Sequence, residues 1–152
     1  MKLESLVIAH PHGAVNTEGR VIGGCIDALR DIVGTRWDHV SEFADRYGNE
    51  GIIWFFDVYA LTSEDFYHTL FQMKECGWFK NAKAVILGRV LFPKTYTTVT
   101  YEKAIRKIFG RKIPLISEAD VGHTSPSLVM VNGGYAKIKA KDGKGSVVFI
   151  KK

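Results

Sequence analysis

At 152 residues, with 46% apolar, 24% charged and 12% aromatic side chains, the chain has the size and make-up of one globular domain and not of a disordered segment. A chain of this length buries about 70% of the surface its unfolded form exposes, so it needs no metal or disulfide staple. No run approaches the roughly 20 apolar residues that span a bilayer, and no signal peptide is visible, which argues against a membrane partner. The net charge of +5 raises the question of nucleic acid. However, Lys137, Lys139, Lys141, Lys144, Lys151 and Lys152 alternate with Ile138, Val147 and Ile150. That is the pattern of a solvated hairpin face, and it offers no aromatic platform for bases, so no nucleic-acid partner is expected. The two cysteines, Cys25 and Cys76, stand far apart and suit a reducing compartment, with the cytoplasm as the expected location.

In chain order, residues 1–18 read as an edge strand or boundary segment, set apart from a domain at 19–152. Within that segment His10-Pro-His12 has no third ligand nearby in sequence, so no metal site is expected there. Gly19 to Gly24 lacks the preceding strand and the following acidic residue of a dinucleotide fingerprint, and no cofactor is expected. Ile22, Ile26, Leu29 and Val33 fall at helical spacing, with Gly34 as a natural stop. On that reading Cys25 opens the helix as a small packing residue. Ile52 to Phe56 is a continuous buried-strand run. Thr62 with Asp65 caps a second helix whose Phe66, Leu70 and Met73 share a face up to Gly77. Ala82 to Leu87 is another buried strand, ending at Gly88-Arg89. Tyr101, Ala104, Ile105, Ile108 and Phe109 mark a third helix, closed by Gly110, and Ile113 to Ile116 a short strand. Beyond it, Leu128–Val131, Tyr135–Ala140 and Ser146–Ile150 read as short strands joined by hairpins at Asn132-Gly-Gly134 and Asp142-Gly143. The fold class is therefore α/β, a parallel βαβαβ core with a β-rich C-terminal end.

Parallel strands joined by helices bring their carboxyl ends to one edge, where open α/β sheets bind ligands. Asp57, Arg89 and Ala119-Asp-Val-Gly-His123 all arrive there. Taken singly, Asp57 reads as a capping or loop-fixing carboxylate and His123 as a hydrogen-bonding loop residue. Arg89 reads equally as a bidentate site for a substrate carboxylate and as the partner of an acidic neighbour.

Five segments together carry a resemblance: Glu50-Gly-Ile-Ile-Trp-Phe-Phe-Asp57, Thr69 to Phe79, Ala84-Val-Ile-Leu-Gly-Arg89, Ile113-Pro-Leu115 and Asp120-Val-Gly-His123. With Gly19-Arg-Val-Ile-Gly-Gly-Cys25 and Val33-Gly-Thr35 upstream, they resemble in order the C-terminal domain of the LD-carboxypeptidase family of serine peptidases, which includes muramoyltetrapeptide carboxypeptidases and microcin-immunity peptidases. The resemblance implies a Ser-His-Glu triad that cleaves an L,D peptide bond at the end of a peptidoglycan-derived peptide, as in cell-wall recycling. His123 matches the general base, and Asp57 stands where the family carries glutamate, one methylene longer. The serine and oxyanion hole belong in the family to an N-terminal nucleophile domain, which is the expected partner. No G-x-S-x-G elbow occurs within these residues, so the chain alone is expected to be inactive. Family relatives often pair, and a homodimer is a further expectation. The alternative is a non-catalytic domain that binds cell-wall peptides or mediates association.

Overall fold

The structure is a computed structural model that describes residues 2–6, 8–9 and 14–151; His10-Pro-His12 lies outside them. Among the described residues, eight strands and four helices follow one another. Strands β1 (Lys2–Leu6), β2 (Ile8–Ala9) and β3 (Val15–Cys25) lead into helices α1 (Ile26–Leu29) and α2 (Val40–Arg46). Then come β4 (Ile52–Asp57), α3 (Ser63–Glu75), β5 (Ala82–Gly88), α4 (Tyr101–Phe109) and β6 (Leu115–Ala119). The hairpin of β7 (Tyr135–Lys141) and β8 (Lys144–Ile150) ends the fold. All strands form one sheet, in the order β1-β8-β7-β3-β4-β5-β6-β2. Strands β3, β4, β5 and β6 run parallel and the rest pair antiparallel. This is the expected α/β fold with a parallel core and a β-rich end. No helix among the described residues is long and apolar enough to cross a membrane.

Period-two alternation along β4 divides the core. Ile52, Trp54 and Phe56 face a cluster closed by Phe66, Leu70 and Met73 of α3 and Ala104, Ile105 and Ile108 of α4. Ile53 and Phe55 face a second cluster, which joins Ile86 and Ile116 to Ile138 and Val147 of the hairpin. The sheet therefore curls, and its antiparallel end covers the face that carries no helix. Every residue of β4 is buried, which is why the run has no polar interruption before Asp57; each fully buried large side chain of this kind contributes roughly 1.5–3 kcal/mol. The Thr62 cap follows the sequence, accepting from the Asp65 N–H, and the structure adds a second at Thr100, which accepts from that of Lys103; both satisfy donors that have no intrahelical partner.

Three expectations need correction. The helical spacing from Ile22 to Val33 does not make one helix: Val15–Cys25 is a strand, and only Ile26–Leu29 is helical. Its backbone is claimed from both sides, by β7 along Val15–Arg20 and by β4 along Arg20–Cys25. Gly23 makes the second pairing feasible, since a Cβ there would collide with the Phe55 carbonyl. Leu128–Val131 is not a strand; Leu128 and Met130 satisfy their alternation by leaning on the second cluster. Asn132-Gly-Gly134 is consequently not a hairpin turn. Its Asn132 side chain accepts from the Gly23 N–H at 2.9 Å and donates to the Gly23 carbonyl at 3.1 Å, continuing the ladder of β3 where β7 has ended. By contrast Asp142-Gly143, with φ of 51° and 77°, does make the β7–β8 turn.

Candidate active site

The carboxyl ends of the four parallel strands deliver Cys25 from β3, Asp57 from β4, Arg89 just beyond β5 and the Asp120–His123 loop beyond β6. Asp57 is only 5% exposed, while the His123 side chain is 45% exposed. Asp57 Oδ2 and His123 Nδ1 are 2.6 Å apart, and Asp57 Oδ1 also lies 3.4 Å from the His123 N–H. A carboxylate can only accept, so Nδ1 carries a proton, and in the neutral ring Nε2 then keeps its lone pair. The shorter aspartate reaches the ring because the chain closes on it at Gly122. That residue has φ of 103°, and a Cβ there would run into the Asp57 carboxylate.

Two charged side chains hold the loops on either side of this contact. The Asp27 carboxylate accepts from three successive N–H groups, those of Tyr59 (2.9 Å), Ala60 (2.8 Å) and Leu61 (3.0 Å), just past Asp57. Arg89 pairs with buried Asp120 at 2.8 Å and donates to Thr124 Oγ1 and the Pro126 carbonyl, bracketing His123. Of the two readings of Arg89 from sequence, the structure displays the pairing with an acidic neighbour. Tyr59 then lies 5.0 Å from the His123 ring and 5.4 Å from Phe92, edge-on to the latter. With Tyr59 and Phe92 43% and 55% exposed, they form an open aromatic wall beside the imidazole.

The loop that carries Phe92 has its own anchor. Glu64 Oε1, in the first turn of α3, accepts from the Thr97 hydroxyl and N–H, the Tyr96 N–H and the Thr95 hydroxyl. These bonds, that of the Thr97 hydroxyl foremost, lower the Glu64 pKa from 4.5 to about 2. Sequence reasoning missed Asp27 and Glu64, since nothing local marks a carboxylate whose partners lie more than 30 residues away. It also missed the neighbourhood of Cys25. Its half-buried thiol lies 3.8 Å from Asp27 Oδ2, and its sulfur and one ligating atom each of Asp57 and His123 lie within 4.8 Å of one another.

A mixed, curled α/β sheet thus presents a buried carboxylate and a half-exposed histidine at its carboxyl edge, where open α/β sheets bind ligands. A family profile, LD-carboxypeptidase C-terminal domain, matches residues 18–138, and the chain belongs to that family. Among solved structures, muramoyltetrapeptide carboxypeptidase from Oxalobacter formigenes is similar at 23% identity and a TM-score of 0.75, over 99% of this chain and 50% of its own. The microcin C7 self-immunity protein MccF is 22% identical with a TM-score of 0.72, over 95% of this chain and 41% of its own. An MccF-like protein from Streptococcus pneumoniae, solved with AMP, is 23% identical with a TM-score of 0.64, over 91% and 44%. The chain thus spans half or less of the length of these structures. No curated protein matches it significantly.

Proposed function

We propose that this chain is the base-supplying half of a serine-type LD-carboxypeptidase that removes the terminal residue from a peptidoglycan-derived peptide. The observation that carries the reading is the 2.6 Å contact of Asp57 with His123 Nδ1 in a chain of this family. A serine hydroxyl is a weak nucleophile at neutral pH and needs a base. His123 Nε2 takes the proton of a serine contributed by an N-terminal domain as the oxygen attacks the scissile carbonyl. Asp57 holds the Nδ1–H and stabilises the imidazolium. The imidazolium then protonates the departing amine, and in the second half-reaction His123 takes a proton from water as it attacks the acyl-enzyme. Arg89, at the same edge of the sheet, offers a guanidinium for a substrate carboxylate, a role it would share with its hold on Asp120.

The exposed wall of Tyr59 and Phe92 favours a second reading, a domain that binds cell-wall peptides without cleaving them. The two are separated by assaying release of terminal D-alanine from a muramoyl tetrapeptide, with this chain alone and with an added N-terminal half from a relative. Release only with both halves, abolished by His123→Ala, is the expected result. Peptide binding by calorimetry with no release under any combination would favour the binding domain, and release unaffected by His123→Ala would remove His123 from the mechanism.

A further inference from the structure

We propose that Cys25, Asp57 and His123 bind a borderline-soft divalent cation of the Zn²⁺ kind, with three protein ligands and an open fourth position. The three arrive by independent routes. Cys25 is the register partner of Asp57 across the parallel β3–β4 pair, and His123 is carried in by the loop beyond β6. One sulfur, one carboxylate oxygen and one ring nitrogen lie within 4.8 Å of one another. Zinc–sulfur and zinc–nitrogen bonds of about 2.3 and 2.0 Å put tetrahedral ligands roughly 3.5 Å apart, so shifts of about 1 Å complete the site: the wider separations close, and the 2.6 Å contact of Asp57 Oδ2 with His123 Nδ1 opens. That adjustment is available where Cys25 ends its strand and where the His123 side chain is 45% exposed.

The donor set selects the metal. Thiolate and imidazole prefer zinc and its neighbours, and a site with a single carboxylate is poor for magnesium or calcium. Burial, and behind it the Asp57 charge, push the Cys25 thiol up, opposite to what an activated nucleophile needs. A bound cation deprotonates such a thiol outright. Binding therefore exchanges one S–H bond for one metal–sulfur bond and releases one proton, while the imidazole coordinates in its neutral form; where Nδ1 is the donor, its proton moves to Nε2, so the net release stays at one. Cys25, Asp57 and His123 lie far apart in sequence, so no ligand spacing announces the site. If the hydrolase reading of the preceding section holds, the cation also takes both members of the pair away from the serine, and zinc reversibly blocks turnover.

The test titrates the full chain with Co²⁺, followed by absorbance, and with Zn²⁺, followed by calorimetry. We expect one ion per chain and a near-ultraviolet thiolate-to-cobalt band that Zn²⁺ abolishes. Cys25→Ser should remove the band, and both Cys25→Ser and His123→Gln should weaken Zn²⁺ at least tenfold. Cys76→Ser, His39→Gln and the double change His10→Ala/His12→Ala should leave affinity within about twofold. A cobalt complex without the thiolate band, or an affinity that follows Cys76, His39 or the His10/His12 pair, would overturn the site. Should Cys25→Ser fail to fold, survival of the band in Cys76→Ser and the weaker Zn²⁺ binding of His123→Gln decide the matter. Zinc inhibition is read separately in the two-half assay. No turnover with or without metal, alongside an intact cobalt band, sinks the hydrolase reading and leaves the cation site standing.

Discussion

The two loops that meet at the site are anchored in opposite ways. Past β4, a carboxylate supplied by α1 gathers backbone amides: Asp27 takes the N–H groups of Tyr59, Ala60 and Leu61. Past β6, a guanidinium gathers oxygens, with Arg89 reaching Asp120, Thr124 and the Pro126 carbonyl. The first arrangement fixes the backbone itself and so holds the stretch next to Asp57 rigidly. The second relies on side-chain geometry and leaves the histidine loop more freedom. The pair is thus built from a stiff acceptor and a more yielding base, as suits an imidazole that has to meet a nucleophile from another domain.

That contrast can be broken experimentally. Asp27→Ala should have the largest effect, about 2 kcal/mol, because three N–H groups lose a charged acceptor together and water replaces it only in part. Chemical denaturation measures the loss, and faster hydrogen exchange at Tyr59 to Leu61 should locate it. Arg89→Lys should cost less, about 1 kcal/mol. An ammonium keeps the pairing with Asp120 but cannot span Thr124 and Pro126 as a planar fork does. Exchange should then quicken from Val121 to Leu128 and not at Tyr59. Equal costs for the two variants would mean that the loops are equally stiff.

The smallest effect concerns the Phe92 loop and is a matter of pH. The folded pKa of Glu64, about 2, lies below its ordinary 4.5. Its contribution is therefore fully present above pH 4.5 and is lost as the pH falls from there towards 2. Melting temperatures of the native chain and Glu64→Gln should differ at pH 6 and converge by about pH 2. A difference that persists unchanged at the acid end would show that the glutamate acts through something other than its charge.

Much of the fold was legible because its signals are local. The uninterrupted run Ile52–Phe56, the Thr62 cap and the apolar faces of α3 and α4 each announce themselves within a few residues. Strand β3 was hidden. Its Asn16, Thr17, Gly19, Arg20, Gly23 and Gly24 look like a loop, and Ile22 matches the later Ile26 and Leu29 by coincidence of spacing. What makes it a strand is pairing with residues 32 to 125 positions away, which no window of sequence displays. Helix α2 was missed for a similar reason: it starts after His39, an N-cap residue whose side chain makes no capping bond. Its entry is secured by Asp38, which accepts from the distant Trp78 indole N–H. At the site, the meeting of Asp57 with His123 followed from topology plus the family resemblance. The anchors Asp27 and Glu64, and the approach of Cys25, depend on contacts that only the folded chain makes.

The central claim is that Asp57 holds His123 with Nδ1 protonated and Nε2 free to act as a base. Nitrogen-15 NMR of the histidine ring in this chain tests it most directly, at a pH where the imidazole is neutral. The account predicts the Nδ1–H form for His123 in the native chain and a shift towards the Nε2–H form in Asp57→Ala. An Nε2–H ring in the native chain, or a tautomer that ignores the loss of Asp57, would contradict it.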